Sequence, residues 1–368
     1  MIDVLLMARE LDLGGSERQL AITALGLDRT QFRPHVACFR AGGFRAGELK
    51  RAGVPVLELG VRSLVSRSAI HGARRLGRYL EKHQIQVVHT FDVPAVLFGV
   101  PAARFYRVPV VLSSARAHRD LTPGITRHLL RLTDRIVDGI VVNSRAVGRE
   151  LAADGVPASL VRLSYNGIDT ERFQPEGPRA RVPWDEHGLV IGVVCALRPE
   201  KGLPTLLEAF SGFHQRWPSA RLLIIGSGPV GEELEQRACK LALETACHFE
   251  PAVEAVAPWL RRIDIFVLPS LSEALSNALM EAMACGCCAV ASDVGGNPEL
   301  VEHGRTGLLF PPGDSAALSA SLDVLAGDDL LRRRLAEAGS AFIRERFASQ
   351  AAVRRMGEIY AACLAGSR

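Results

Sequence analysis

Two pairs of charged side chains stand where they could grip an anion and a sugar. Arg198 and Lys201 follow the apolar run Gly192–Ala196, in Leu197-Arg198-Pro199-Glu200-Lys201-Gly202. Behind a buried strand they are placed to neutralise a diphosphate, the arginine as a planar fork and the lysine as a point charge. Glu273 and Glu281 bracket a helix start at Ser276-Asn277-Ala278, inside the stretch Leu268–Gly313. Ser276 can cap that helix, Ala278–Ala284 are strong helix formers, and Gly286 sits where it would stop. Amides at 276–278 would carry the positive end of the helix dipole, which suits a phosphate. Two carboxylates beside them can accept hydrogen bonds from the paired hydroxyls of a sugar and a ribose. Taken alone, Glu273 and Glu281 read as solvated helix-face charges. The continuation Ala289–Val301 argues otherwise, because its Gly295-Gly296 lets backbone approach a ligand closely.

The first half holds a second set. Gly14-Gly15-Ser16-Glu17 follows the run Val4–Met7 and precedes a helix over about 17–27, with Ser16 as its expected cap. His89 and Asp92 end the strand-like run at Val87, at the edge where parallel sheets bind ligands. Arg116, His118, Arg119 and Asp120 fall in a polar loop after Pro109–Ser114, and Asn166-Gly167 signals a turn.

Two motifs are decoys. Gly226-Ser227-Gly228-Pro229-Val230-Gly231 has the spacing of a dinucleotide loop, but Cys247-His248-Phe249 makes a poor next strand and Pro251 would break it. The loop also lies in the second strand–helix unit of its half, not the first. Cys285 and Cys288 form a C-x-x-C with no second pair or histidine set, so zinc and redox chemistry are not expected. The eight cysteines read as buried thiols in a reducing compartment.

The elements that position these residues alternate between strand-like and helical runs throughout, which argues α/β architecture with parallel sheets. The length of 368 residues allows two cores. The Pro/Gly-rich segment 173–184 reads as a linker between domains at 1–172 and 185–349. A helical tail runs over about 329–364 with an expected break near Gly339. Met1–Met7 reads as a first strand, not a leader, and no apolar run reaches the roughly 20 residues a membrane span needs. Residues 1–170 carry 24 Lys+Arg against 15 Asp+Glu, while the whole chain is net +4. Arg74, Arg75, Arg78 and Lys82 on one expected helix, and Arg127, Arg131 and Arg135 on another, carry much of that excess. Contact with anionic lipid or a phosphorylated acceptor is the sharper reading of it, and solubility the blander one. Nucleic acid is not expected, since no aromatic interleaving accompanies the arginines.

In order and spacing, these pieces resemble the retaining, nucleotide-sugar-dependent glycosyltransferases of family 4. They are Gly14–Glu17, Asn166–Asp169, Arg198–Gly202, Gly226–Pro229, Phe266–Ser270, Glu273 with Glu281, Gly295-Gly296 with Glu299, and Gly307–Gly313. The resemblance implies the GT-B fold, two Rossmann-like domains whose parallel sheets face each other across a cleft, with residues from about 350 packing back on the first domain. It implies a hexose moved from a nucleotide-diphosphate sugar, UDP-linked, to a glycan or polyprenyl-phosphate-linked acceptor by a cytoplasmic, peripherally membrane-bound enzyme. No metal or cofactor is implied.

By the same resemblance, Glu273, Arg198, Lys201 and His118 are catalytic. Gly15, Arg198, Lys201, Gly228, Ser276, Asn277, Ala278 and Glu281 hold the donor diphosphate and ribose. Gly14, Glu17, His89, Asp92, Arg116, His118, Asn166 and Glu273 face the sugar and acceptor. The chain departs from the pattern at Phe91, where many relatives carry a second histidine; His118 or Asp92 would take over that role. It departs again at Pro251, beside the nucleobase, and at Cys287-Cys288. A nucleotide-sugar 2-epimerase and a non-catalytic binding relative are the alternatives.

Overall fold

Short apolar runs rich in Val, Ile and Leu become fully buried strands, as both faces of a parallel sheet are covered by helices. A computed structural model describes residues 1–12, 14–119, 122–184 and 188–366. The chain divides into two units, Met1–Gly167 with Ser349–Arg368, and Ile168–Ala348.

The first unit contains β1 (Ile2–Ala8), α1 (Gly15–Gly26), β2 (Phe32–Cys38), α2 (Phe44–Arg51), β3 (Val56–Glu58), α3 (Arg67–Lys82) and β4 (Val87–Thr90). It continues through α4 (Val93–Phe105), β5 (Val110–Ala115), α5 (Gly124–Asp134), β6 (Gly139–Val142), α6 (Arg145–Ala153) and β7 (Val161–Leu163). Its strands are parallel in the order β3-β2-β1-β4-β5-β6-β7. Val4, Leu6, Val87 and Leu112 lie in its core.

The second unit runs β8 (Val190–Val194), α7 (Leu203–Arg216), β9 (Arg221–Ile225), α8 (Gly231–Lys240), β10 (Cys247–Glu250), α9 (Ala257–Leu260) and β11 (Ile265–Leu268). Then come α10 (Asn277–Ala284), β12 (Cys288–Ser292), α11 (Asn297–Leu300), β13 (Leu308–Phe310), α12 (Ser315–Gly327) and α13 (Asp329–Arg346). Its strands are parallel in the order β10-β9-β8-β11-β12-β13.

The last helix, α14 (Ser349–Gly366), belongs to the first unit. Val353, Met356 and Tyr360 recur at helical spacing and are buried there. A Cβ at Gly26 would meet Val353 Cγ2 at 2.9 Å, so α1 and α14 approach at a glycine.

Four local expectations need correction. Cys247–Glu250 is a strand after all, because pairing with β9 outweighs its weak propensity. Helix α13 passes unbroken through Gly339, whose bare Cα lets the helix lie against the Thr306 carbonyl, 2.7 Å from where a Cβ would stand. The break falls instead at Phe347–Ala348. Ser16 does not cap α1: the helix begins at Gly15 with Gly14 as N-cap and no side-chain cap bond. Finally, the segment expected as a linker is fastened to the second unit. Arg261 donates to the carbonyls of Arg172, Gln174 and Pro178, and Ala180 N donates to Pro258 O. The chain crosses between units ahead of it, at Gly167/Ile168.

Candidate functional site

In each sheet the strand order reverses once, and a ligand crevice opens there at the carboxyl ends of the strands. In the second unit the reversal lies between β8 and β11. The loop after β8 carries Arg198 and Lys201, and the loop after β11 carries Glu273. These meet: Lys201 Nζ is 2.6 Å from Glu273 Oε2, with the two side chains 21% and 12% exposed. Ser270 Oγ donates to the same carboxylate oxygen at 3.3 Å. Arg198 stands at the N-cap position of the 3-10 turn Pro199–Lys201, makes no side-chain cap bond there, and is exposed.

The loops are locked to one another. Leu271 N donates to Glu200 O at 2.8 Å, Ser292 Oγ to Ser270 O at 2.6 Å, and Gly296 N to Glu273 O at 3.1 Å. Gly202 is left-handed, with φ +64, and a Cβ on it would stand 2.1 Å from Pro269 O. Loops tied this way fix where their side chains stand. Ser276 Oγ accepts from Leu279 N at 3.2 Å, capping α10 and leaving the amides of Asn277 and Ala278 at its positive end. Glu281, inside α10, is only 3% exposed, so neither glutamate is a solvated surface charge.

The glycine decoy is used for packing. Cβ atoms at Gly226 and Gly228 would lie 1.8 Å from Cys195 O and 2.2 Å from Leu197 O, so both glycines admit the neighbouring loop. Strand β10 removes one objection to a dinucleotide loop. The other stands, since the turn follows β9, the second strand of its unit. Burial holds the Cys285 and Cys288 thiols up at about 11 and about 12, so both are protonated at neutral pH.

In the first unit the reversal lies between β1 and β4. Asp92 joins the two edges: its carboxylate accepts from Arg9 N at 2.6 Å and from Ala95 N at 2.8 Å, capping α4. Burial raises its pKa, and burial does the same for Glu17 on α1. A Cβ at Gly14 would run into the Glu17 carboxylate. A pocket of about 190 Å³ opens here, lined by Ser16, Phe91, Asp92, Ser114, Arg116 and His118 among others. His118 Nδ1 is hydrogen-bonded to Glu150, whose other oxygen accepts from Arg119 N at 2.7 Å. Arg119 in turn makes a two-pronged ion pair with Asp134, at 2.8 and 2.9 Å.

His89 is not where the sequence put it. It is fully buried, with Nδ1 2.8 Å from Tyr360 Oη and Nε2 2.8 Å from Ser114 Oγ. Burial, then Arg116, pushes its pKa well below 6.5, so the ring is neutral. Both nitrogens are engaged within the unit, and the ring is closed off from solvent. Phe91 packs against it, with ring centroids 4.3 Å apart and planes tilted by 40°, and supports the Arg116 guanidinium 4.8 Å above its own ring. Arg116 donates to Asn166 Oδ1 at 2.7 Å, and burial brings its pKa down to about 10. The Asn166 turn is itself pinned by Gln19, which exchanges two 2.9 Å hydrogen bonds with the Gly167 backbone. Tyr360, Gln19 and Glu150 were missed from sequence; each acts on a partner far along the chain, and no local pattern marks it.

Known proteins resemble this chain. Residues 188–328 match the family described as Glycosyl transferases group 1, and residues 13–172 match Glycosyltransferase Family 4. The chain belongs to the family 4 glycosyltransferases. A GDP-mannose-dependent alpha-(1-6)-phosphatidylinositol monomannoside mannosyltransferase of Mycobacterium tuberculosis is 31% identical over 73% of this chain and 72% of that protein. A D-inositol 3-phosphate glycosyltransferase of Streptomyces bingchenggensis is 29% identical over 63% of this chain; the match spans 54% of that relative's length. HepE of Anabaena, solved with UDP and glucose, superposes with a TM-score of 0.85 at 22% identity, covering 98% of this chain and 100% of that one. That likeness establishes the fold, which is GT-B.

Proposed function

We propose that this family 4 member is a retaining hexosyltransferase that moves a hexose from a UDP-sugar to a glycan or polyprenyl-phosphate-linked acceptor. The observation that carries the proposal is the Lys201–Glu273 pair at the strand-order reversal of the second unit. When a glycosyl bond breaks, the sugar becomes oxocarbenium-like and the departing diphosphate gains charge. Arg198, Lys201 and the start of α10 oppose that charge, and one such donor is typically worth on the order of 3 kcal/mol of barrier. Glu273 pairs with Lys201 at 2.6 Å. An arriving diphosphate competes for the ammonium and releases the carboxylate to accept from sugar hydroxyls. Glu281 takes the ribose. Retention follows from same-face attack, with the diphosphate accepting the acceptor's proton.

UDP is favoured by the UDP-bound fold neighbour; the mannosyltransferase relative names GDP instead. We propose metal-free transfer, since the two cations and the helix start supply the positive charge a metal would. Chelator should leave the rate unchanged. The relatives named above are glycosyltransferases, which favours transfer over epimerisation or mere binding. The site assignment is tested with Arg198→Ala combined with Lys201→Ala: the fold should persist and donor turnover vanish. Full residual turnover would end the assignment. A donor panel read by thermal shift identifies the base, since a ligand at 100 times its Kd adds about 2.7 kcal/mol of stability.

A further inference from the structure

A cavity of about 370 Å³ opens on the second unit, lined by Arg179, Trp184, Trp217, Arg262, Asp264 and Arg332 among others. It lies at the amino edge of the sheet: Val190 begins β8, Ala220 precedes β9 and Asp264 precedes β11. Arg198, Lys201 and Glu273 stand beyond the carboxyl ends of β8 and β11. The length of β8, Val190–Val194, puts roughly 13 Å between the two edges, so the cavity lies apart from the Lys201–Glu273 crevice. Its volume falls in the range of about 300–1,000 Å³ typical of small-molecule sites.

The wall is charged and aromatic. Asp264 Oδ2 accepts from Val190 N at 2.8 Å, which ties the carboxylate to the sheet. Burial raises the Asp264 pKa; the Val190 amide opposes the rise, then Arg332, Arg179 and Arg262, so three guanidinium groups act on one carboxylate. Arg332 comes from α13 and is fixed: Nη1 donates to Leu325 O at 2.7 Å, and Nη2 pairs with Asp329. Those bonds orient its planar fork and leave it further N–H donors. Arg179 is exposed. The Trp217 ring lies against Phe213 with planes 22° apart, and its Nε1 donates to Asp323 at 3.1 Å. Trp184 has a buried indole N–H with no hydrogen-bond partner among the described residues. A buried donor left so is costly, and a ligand that brings an acceptor removes the cost. A Cβ at Gly188 would lie 2.0 Å from Ser219 O, so the segments entering β8 and β9 touch at a glycine in this wall.

We propose that this cavity binds a small phosphomonoester with a ring body, the phosphate on the arginines and the ring against the indoles. Guanidinium forks match phosphate oxygens two at a time, and an indole offers an apolar face with one donor at its edge. A bare inorganic anion would leave the indoles unused, and a neutral ring would leave the arginines so. A hexose phosphate and a nucleoside monophosphate share this chemistry. The inference goes beyond the transferase reading and does not rest on it.

The full chain is titrated with glucose 6-phosphate, adenosine 5′-monophosphate, inorganic phosphate and glucose, read by calorimetry and tryptophan fluorescence. Two of the three tryptophans line the cavity, so at least one ester should change the emission, while glucose should not. Which ester binds tighter identifies the source. Arg179→Gln should weaken binding about tenfold, and Arg179→Gln with Arg262→Gln on the order of a hundredfold, as each lost charge-assisted bond is worth about a factor of ten or more. Arg179→Gln alters an exposed side chain and should melt like the parent, so the test stands even if the double variant fails to fold. Arg198→Ala with Lys201→Ala should leave this binding unchanged. No binding of either ester, inorganic phosphate bound as tightly as both esters, or arginine variants that bind like the parent would each overturn the proposal; the arginines would then serve Asp264 alone. Binding abolished by Arg198→Ala with Lys201→Ala would place the ester in the other crevice and overturn it too. Ester binding without donor turnover would instead count against the transferase reading and leave this site standing.

Discussion

Replacing Tyr360 by Phe deletes one hydroxyl and leaves the ring volume unchanged. In the structure that hydroxyl lies 2.8 Å from His89 Nδ1, and His89 is wholly buried. The substitution therefore strands a ring nitrogen without water or partner, which costs about 1–3 kcal/mol. For a unit in the 150–250-residue range each kcal/mol moves Tm by about 2–4 °C, so a fall of roughly 2–12 °C is expected. Tyr360→Ala also empties the space between His89 and Phe32 and should cost about 3–5 kcal/mol. Calorimetry on the full chain, with urea unfolding as a second measure, reads both. Ser114→Ala, which removes the other partner of His89, provides the control on the opposite nitrogen. A Tyr360→Phe shift below about 1 °C would refute the hydrogen bond, because a buried orphan nitrogen cannot be that cheap. Equal losses for Phe and Ala would refute the docking of α14 through this ring.

The neutral state of His89 adds a pH signature. Its folded pKa lies below the unfolded 6.5, so the contribution is complete above pH 6.5 and is lost as pH falls toward the folded value. His89→Gln should flatten the acid limb of a stability–pH curve by up to about 1.4 kcal/mol per pH unit; an unchanged slope would show that the ring titrates normally. Arg119→Met leaves Asp134 buried and unmatched and should cost about 3–5 kcal/mol by urea unfolding, against little or nothing if the pair were exposed. Gly202→Ala forces a side chain into a left-handed position against Pro269 O. It should destabilise by about 1–3 kcal/mol and lower donor turnover more than tenfold by spreading the loops of Lys201 and Glu273; wild-type kinetics would mean the loops are not coupled.

Where the candidate residues of the second unit stand was legible, because they are local to strand ends. Arg198, Lys201 and Glu273 follow apolar strands directly, and any parallel sheet delivers such residues to its carboxyl edge. The sequence also determined the alternation of strands and helices, and the helix opening at Asn277 with its serine cap. The tertiary structure decided what depends on distant partners. Cys247–Glu250 became a strand only by pairing with β9. His89 became a neutral core ring because Tyr360, 271 residues away, closes over it. Gly339 stayed helical because Thr306 packs against it, and 173–184 was claimed by Arg261. Propensity and spacing describe a residue's neighbours along the chain. Burial and hydrogen bonding to remote groups carry energies as large or larger, and nothing in the local pattern encodes them.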